Sequence, residues 1–426
     1  MPPAIRATLA VRRALVATCD RASPDPALLP DHAVAIDGGV VAWIGPDPEL
    51  PTAVDLSSTE VVDADGRLLT PGLVDSHTHL VFGDDGERAE EFGALASGRT
   101  YAEIARAGGG IRATMRATRA APDEELLRTA LARARRLLSW GVTTVEVKSG
   151  YGESVREELR LLRVVRELGR ALAGQVDVVA TALPLHAVPT GRDREGWVRE
   201  VIEVLLPAVA RDRLAEGCDA FVSSTAFGVD EARRVLLAAR DLGLVPRLHA
   251  DQLADDRAAE LAAEVGASSA DHLEHVSQAG IAALARGGVV AGLLPASTLL
   301  LRGSTFAPGR RLVDAGVAVA LATNANPGSA MTENLGLSLS LACLENGLTP
   351  GEALWAASRG GARALRRDAA GRIAAGAPAD LVLWGARSPA HLCWHAAVNH
   401  VLQVVKSGRV VHRAGPPAAA DCAARS

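Results

Sequence analysis

Lysine is almost missing from this chain. Of its 45 basic residues, only Lys148 and Lys406 are lysines, and arginine fills the rest. That bias reads as genome composition, and it makes Lys148 stand out. Aromatic residues are scarce as well, at 3%, and the two tyrosines are Tyr101 and Tyr151. The five cysteines (Cys19, Cys218, Cys343, Cys393 and Cys422) are odd in number, scattered and without CxxC spacing. They exclude a disulfide framework and a cysteine zinc knot, and they suit a reducing cytoplasm. No run approaches ~18 uncharged apolar residues, so no membrane span is expected. The first twenty residues hold no unbroken apolar stretch and no secretory cleavage site. A net charge of -5 gives no reason to expect nucleic acid or an anionic membrane as partner. What is present, 48% hydrophobic and 22% charged residues over 426 positions, describes a soluble globular chain. It is long enough for one large domain and a small one, or for two to three ordinary ones.

Residues 1–70 read as short strands with turns. Ala33–Ile36 and Val40–Ile44 flank Asp37-Gly38-Gly39, a hairpin signal. A similar pattern returns at Ala379–Trp384, Val401–Val405 and Arg409–Val411, so residues 369–426 are expected to join the first 70 in one small β domain. Between them, over 71–368, β-branched runs alternate with amphipathic segments. Strands are expected to begin at Leu73, Val142, Val176, Ala220, Val245, Ser268, Val289 and Val317. Helices are expected between them, for example over Asp123–Trp140, Arg194–Arg211 and Asp255–Val265. Eight strands alternating with helices predict an α/β fold of (β/α)8 barrel type. A doubly wound open sheet is the competing architecture, and it would gather ligand residues at one switch point rather than at many strand ends.

Chemistry-bearing residues do fall at many strand ends. Side chains two apart on a strand share a face, so His77 and His79 aim two imidazoles into one cavity while Thr78 turns away. Imidazole suits zinc and iron. The second strand runs into Lys148-Ser149-Gly150-Tyr151, the third into His186, the fifth into His249-Ala250-Asp251-Gln252, and the sixth into Asp271-His272. The eighth runs into Asn324-Ala325-Asn326-Pro327-Gly328-Ser329. Barrel interiors favour Val, Ile and Leu, so polar residues at six strand ends point to a site rather than a core. Glu146 and Lys148 alternate with Val147 and are expected to form a buried ion pair beneath the Tyr151 loop. Gly108-Gly109-Gly110 follows no strand and precedes no GKS/T, which favours a lid over a phosphate loop. His391, Cys393, His395 and His400 fit no standard zinc spacing, and no second metal is expected there.

Seven segments carry a resemblance: PGLVDSHTHLVFG (71–83), YAEIARAGGGI (101–111), VEVKSGYG (145–152), HAVP (186–189), LHAD (248–251), ADHLEHVS (270–277) and NPGS (326–329). Over nearly its whole length the chain resembles the metal-dependent amidohydrolases. Within them it resembles the imidazolonepropionase family, the ring-opening enzymes of histidine breakdown. PGLVDSHTH marks only the superfamily, whereas SGYG, HAVP and NPGS together narrow it to this family. The resemblance implies that His77, His79 and His249 ligate one zinc or iron ion. The fourth family ligand is an aspartate where this chain has Asn324, and Gln252 stands where many relatives have glutamate. It further implies that Arg88, Tyr151 and His186 hold 4-imidazolone-5-propanoate, with Asn326, Gly328 and Ser329 around the ring.

The residue chemistry agrees with those roles. Neutral imidazoles leave a metal strongly Lewis acidic, and a propanoate tail suits a guanidinium. Taken alone, Arg88 in the loop after the first strand would read as a surface charge. Neither Asn324 nor Gln252 can act as a base near neutral pH, so proton transfer is expected to fall to His272. Asp251 and Asp271 are alternatives, although alternation turns Asp271 away from the face bearing His272. Two other functions compete: another mononuclear cyclic amidohydrolase or deaminase, and a binding barrel without turnover. A small-molecule substrate and a second copy of the chain are the expected partners.

Overall fold

The computed structural model describes residues 5–84, 86–99, 103–104, 107–224 and 226–414. Tyr101 and Cys422 lie outside them.

Eight parallel strands form the larger sheet: β1 (Leu73–Asp75), β2 (Val142–Lys148), β3 (Asp177–Leu185), β4 (Gly217–Phe221), β5 (Val245–Ala250), β6 (Ser269–His272), β7 (Val290–Leu293) and β8 (Val319–Leu321). Each pairs with its sequence neighbour, in the order β8 to β1. This monotonic order excludes the doubly wound alternative. Helices follow the strands and cover the sheet, which is why strands such as β2 are buried at every position. Local signals set several helix starts. Ser154, Asp193 and Ser277 each accept a backbone N–H of the first turn.

Two helix expectations change. Arg194–Arg211 is interrupted by a five-residue π-helical turn at Val201–Leu205. The helix expected from Asp255 starts at Ala258. There the Asp251 carboxylate accepts the N–H groups of Asp256, Ala258 and Ala259 at 3.1, 2.9 and 3.1 Å. Asp251 is thereby occupied as a helix anchor.

Among the described residues, no ladder joins β8 to β1. The barrel is closed by the segments that follow them. The Asp75 carboxylate accepts from Thr323 N (3.1 Å) and Thr323 Oγ1 (2.6 Å). Asn324 N donates to His77 O (3.1 Å), and His79 N donates to Ala325 O (2.9 Å). Closure therefore stitches together the two strand ends that carry His77, His79 and Asn324.

A second, mainly antiparallel eight-stranded sheet takes strands from both ends of the chain. Leu381–Trp384 pairs with Leu68–Pro71 in the register Leu381↔Pro71, and the Asp37–Val40 hairpin forms as expected. Its Lys406 ammonium bridges Asp380 and Asp177, each at 2.6 Å, and so ties this sheet to β3. Among the described residues, no helix is long and apolar enough to cross a membrane.

Candidate active site

Five imidazoles meet at the C-terminal mouth of the barrel. The rings of His77, His79 and His249 have centroids 4.4–5.5 Å apart. His186 stacks on His79 at 5.1 Å, and His272 lies 5.4 Å from His249 and 5.7 Å from His77. Donor atoms of His77, His249 and His272 lie within 4.8 Å of one another, as do those of His79, His186 and His249. His249 is common to both sets.

Several features fit this cluster to a cation. His77 Nε2 and His249 Nε2 face each other at 3.1 Å. Two nitrogens bound tetrahedrally to one zinc at ~2.0–2.1 Å stand ~3.3 Å apart, so this edge matches a shared ion. Two buried polar atoms, His79 Nδ1 and Asn324 Oδ1, have no hydrogen-bond partner among the described residues. Burial, with the neighbouring charges and imidazoles, drives His77 and His79 well below the usual histidine range. It also takes His249 to about 4 and His186 to about 3. The rings are therefore neutral at pH 7, which is the form that ligates metal.

The outer nitrogens of two rings are held by carboxylates. His77 Nδ1 pairs with Asp271 Oδ2 at 2.7 Å, and His249 Nδ1 with Asp219 Oδ1 at 3.1 Å. Carboxylates in that position fix the tautomer and raise the basicity of a ligating imidazole. The Asp271 contact corrects the alternation argument, which turned Asp271 outward. His272 and Leu273 have φ of 84° and 68°, so the strand period breaks at the end of β6. Asp271 and His272 consequently serve the same cavity.

Behind Asp219 lies a buried ion network. Lys148 Nζ sits 2.7 Å from Asp219 Oδ2 and 2.8 Å from Glu146 Oε1, and all three side chains are fully buried. Burial disfavours the ammonium, yet Asp219 and Glu146 outweigh it and raise the Lys148 pKa. Burial likewise opposes the Asp219 charge, but Lys148 and His249 hold its pKa far below the usual carboxylate range. Glu146 continues the chain to β1: its Oε2 accepts Thr78 N at 3.2 Å, and its carbonyl accepts Thr78 Oγ1 at 2.6 Å. The Glu146–Lys148 pair was legible as strand alternation. Asp219 was missed, and the available signal was one carboxylate inside the apolar run of β4.

At the rim, Arg88 is not in a loop. It is the second residue of a helix, Glu87–Ala96, that starts after Gly86 at φ 89°. Its side chain is only 8% exposed, which rules out a free surface charge. The guanidinium pairs with Glu91, and its Nε donates to Pro327 O at 3.2 Å. Gly328 gives it room, since a Cβ there would meet Arg88 Nη2 at 3.0 Å. Glu91 also accepts Gly110 N at 2.9 Å, bringing the glycine run against the helix that carries Arg88.

The eighth-strand loop braces itself. Asn326 Oδ1 accepts Gly328 N and Ser329 N at 2.7 and 2.8 Å, and its Nδ2 donates to Asn324 O and Ser329 Oγ. Asn326 thus shapes the loop that Gly328 and Ser329 present. Asn324 has φ 53°, a left-handed position that asparagine tolerates. Its Nδ2 donates to Ser297 Oγ and Ser329 Oγ.

Tyr151 is buried, with its ring 5.3 Å from His186 and 6.0 Å from His79. His186 Nδ1 is bonded to Gly150 O at 3.1 Å. The Tyr151 loop hangs on Glu158, which accepts Gly150 N and Gly152 N at 3.0 and 2.6 Å. His272 Nδ1 faces Glu274 Oε1 at 3.4 Å, and Thr298 Oγ1 donates to the same oxygen at 2.9 Å. Glu274 is a second residue that the sequence argument passed over. Gln252 is half-buried just past β5.

Comparison with known proteins agrees with this geometry. Residues 68–411 match the model of the Amidohydrolase family. An imidazolonepropionase of Anaeromyxobacter dehalogenans is 60% identical over 418 residues, which cover 98% of this chain and 99% of the relative. One of Myxococcus xanthus is 54% identical, covering 90% and 91%. Among solved structures, a 5-methylcytosine deaminase of Klebsiella pneumoniae superposes with TM-score 0.74 at 18% identity, over 95% of this chain and 98% of that one. A zinc-bound adenosine deaminase of Xanthomonas campestris gives TM-score 0.68 at 21% identity, over 96% and 93%. At such identities these two neighbours speak for the fold. With its barrel, its histidine cluster and its full-length relatives, the chain belongs to the amidohydrolase family and, within it, to the imidazolonepropionases.

Proposed function

We propose that the protein hydrolyses 4-imidazolone-5-propanoate to N-formimidoyl-L-glutamate at the mouth of its barrel. The observation that carries this reading is the convergence of five imidazoles with Arg88 and the Asn326 loop in a chain of this family. His77, His79 and His249 are the residues that would hold one zinc or iron ion, with Asn324 offering its unpartnered Oδ1. The zinc in the adenosine deaminase neighbour supports zinc. When bound, the ion supplies Lewis acidity and lowers the pKa of water toward ~7.

The chain's own residues do the rest. Arg88 receives the propanoate carboxylate, and Tyr151 and His186 flank the ring. Water adds to the ring carbonyl and the ring C–N bond breaks. His272, oriented through Nδ1 by Glu274, takes the proton from water and returns it to the departing nitrogen. Gln252 at the rim orients the ring without carrying a proton.

The test is ring opening of 4-imidazolone-5-propanoate, measured with metal content by elemental analysis. Alanine at His77, His79 or His249 should remove metal and turnover together. Metal retained through all three replacements sinks the ligand assignment. Ammonia release from cytosines or adenosine without ring opening would favour the deaminase reading, and no turnover by metal-loaded protein the binding reading. We also propose that the enzyme works in the cytoplasm as a homodimer. The unpaired thiols of Cys19, Cys218, Cys343 and Cys393 support a reducing compartment. Light scattering and cell fractionation check the two statements.

A further inference from the structure

Three more histidines meet outside the barrel. His391 and His395 are one helical turn apart, at and just after the short helix Pro389–Trp394, and His400 precedes strand Val401–Lys406. Ring centroids stand 4.9 Å apart for His391–His400, 4.8 Å for His395–His400 and 6.1 Å for His391–His395. Their donor atoms all lie within 4.8 Å of one another. His400 Nε2 is buried and, among the described residues, has no hydrogen-bond partner. A buried ring nitrogen without a partner carries a desolvation cost that a ligand would relieve.

The backbone around the cluster is pinned on both sides. Ser388 Oγ accepts His391 N at 3.2 Å, Gly385 N donates to His400 O at 2.7 Å, and Asn399 Nδ2 donates to Ser139 O at 2.8 Å. Among the described residues, no carboxylate or cation is ion-paired with any of the three rings. The groups that face His400 are His391 and His395, which with burial favour its neutral form. The spacing His-x3-His-x4-His is no zinc-finger pattern. Its first half, however, is the i, i+4 pair that places two imidazoles on one helical face.

We propose that His391, His395 and His400 form a second, peripheral transition-metal site, selective for zinc, nickel or copper over magnesium and calcium. Three imidazoles supply the donor type that these ions prefer, and water completes the shell. The donors already lie within 4.8 Å of one another, against the ~3.3 Å edge of a tetrahedral zinc site, and His395 is exposed. The bound ion would clamp the helix to strand Val401–Lys406. It stabilises that corner by mass action, independently of the reaction in the barrel.

The experiment uses the full chain without a histidine tag, equilibrated with zinc and then freed of loose metal by gel filtration. Elemental analysis should find two zinc ions per chain, falling to one in His395→Ala and in His391→Gln. Both variants should keep the full rate of ring opening, because neither ring is near the barrel mouth. Conversely, His77→Ala should retain the peripheral ion while losing turnover. One zinc per chain in the unaltered protein, retained in both His395→Ala and His391→Gln, overturns the proposal. So does a second zinc that persists in both His395→Ala and His391→Gln.

Discussion

Lys148→Met is the perturbation that probes the site most deeply without touching a proposed ligand. The ammonium makes two ion contacts, 2.7 Å to Asp219 and 2.8 Å to Glu146, in a place with no solvent. At an effective dielectric of ~20, each contact amounts to about 6 kcal/mol of Coulomb attraction before desolvation is subtracted. Removing the cation leaves two buried carboxylates facing each other, and breaking such a buried pair costs about 3–5 kcal/mol. That is a large share of the ~5–15 kcal/mol that holds a typical domain together. Asp219 would then be a poorer support for His249 Nδ1, and loss of such a support typically weakens metal binding ~10–100-fold.

The pH dependence has a definite sign. Without Lys148, burial would raise the folded pKa of Asp219 above its unfolded value near ~4. A raised carboxylate pKa leaves stability intact in acid and removes it as pH climbs through the folded value. The penalty should therefore be larger at pH 8 than at pH 5. Urea unfolding of metal-free protein reads the stability, and chelator competition reads the metal affinity. Adding Glu146→Gln to Lys148→Met should recover part of the loss by removing one stranded charge. An unchanged urea midpoint at pH 8, with metal affinity within twofold of the parent, would refute this account of the network.

Three further outcomes are expected. Arg88→Ala should raise KM strongly for the propanoate substrate and barely alter activity on a ring lacking the tail; equal losses on both contradict the carboxylate role. Asn324→Asp should raise kcat and tighten metal binding by giving the unpartnered Oδ1 position a full charge, whereas His272→Gln should lose ~10²–10⁴ in rate. If both variants match the parent in stopped-flow assays, the proton path is wrong. Burial pushes the Glu158 carboxyl up to about 7, so its contribution to stability is present in acid and is lost as pH rises through that value. The parent should lose up to about 3 kcal/mol from this group between pH 5 and 8, and Glu158→Gln should lack that slope in thermal melts.

What could be read along the chain was whatever depends on short-range periodicity. The His77-Thr78-His79 alternation, the Glu146–Lys148 pair and the hairpin at Asp37–Val40 are all local, and the structure keeps each of them. Repetition of strand and helix signals was enough for the barrel, because each unit is built within a few dozen residues. The resemblance added roles for Arg88, Tyr151 and His186, but not their surroundings.

Four features were decided by tertiary structure alone. Asp271 faces His77 because two left-handed residues end β6, and backbone sign at non-glycine positions leaves no trace in a hydrophobic pattern. Asp219 meets Lys148 across 71 positions of sequence, on a strand whose own end showed nothing. Asp75 and Thr323 close the barrel over a separation of 248 residues. His400 joins His391 and His395 because a turn and a strand pairing fold the chain back on the helix. Each of these contacts depends on where a distant backbone arrives, and only packing of the complete barrel and its second sheet determines that position.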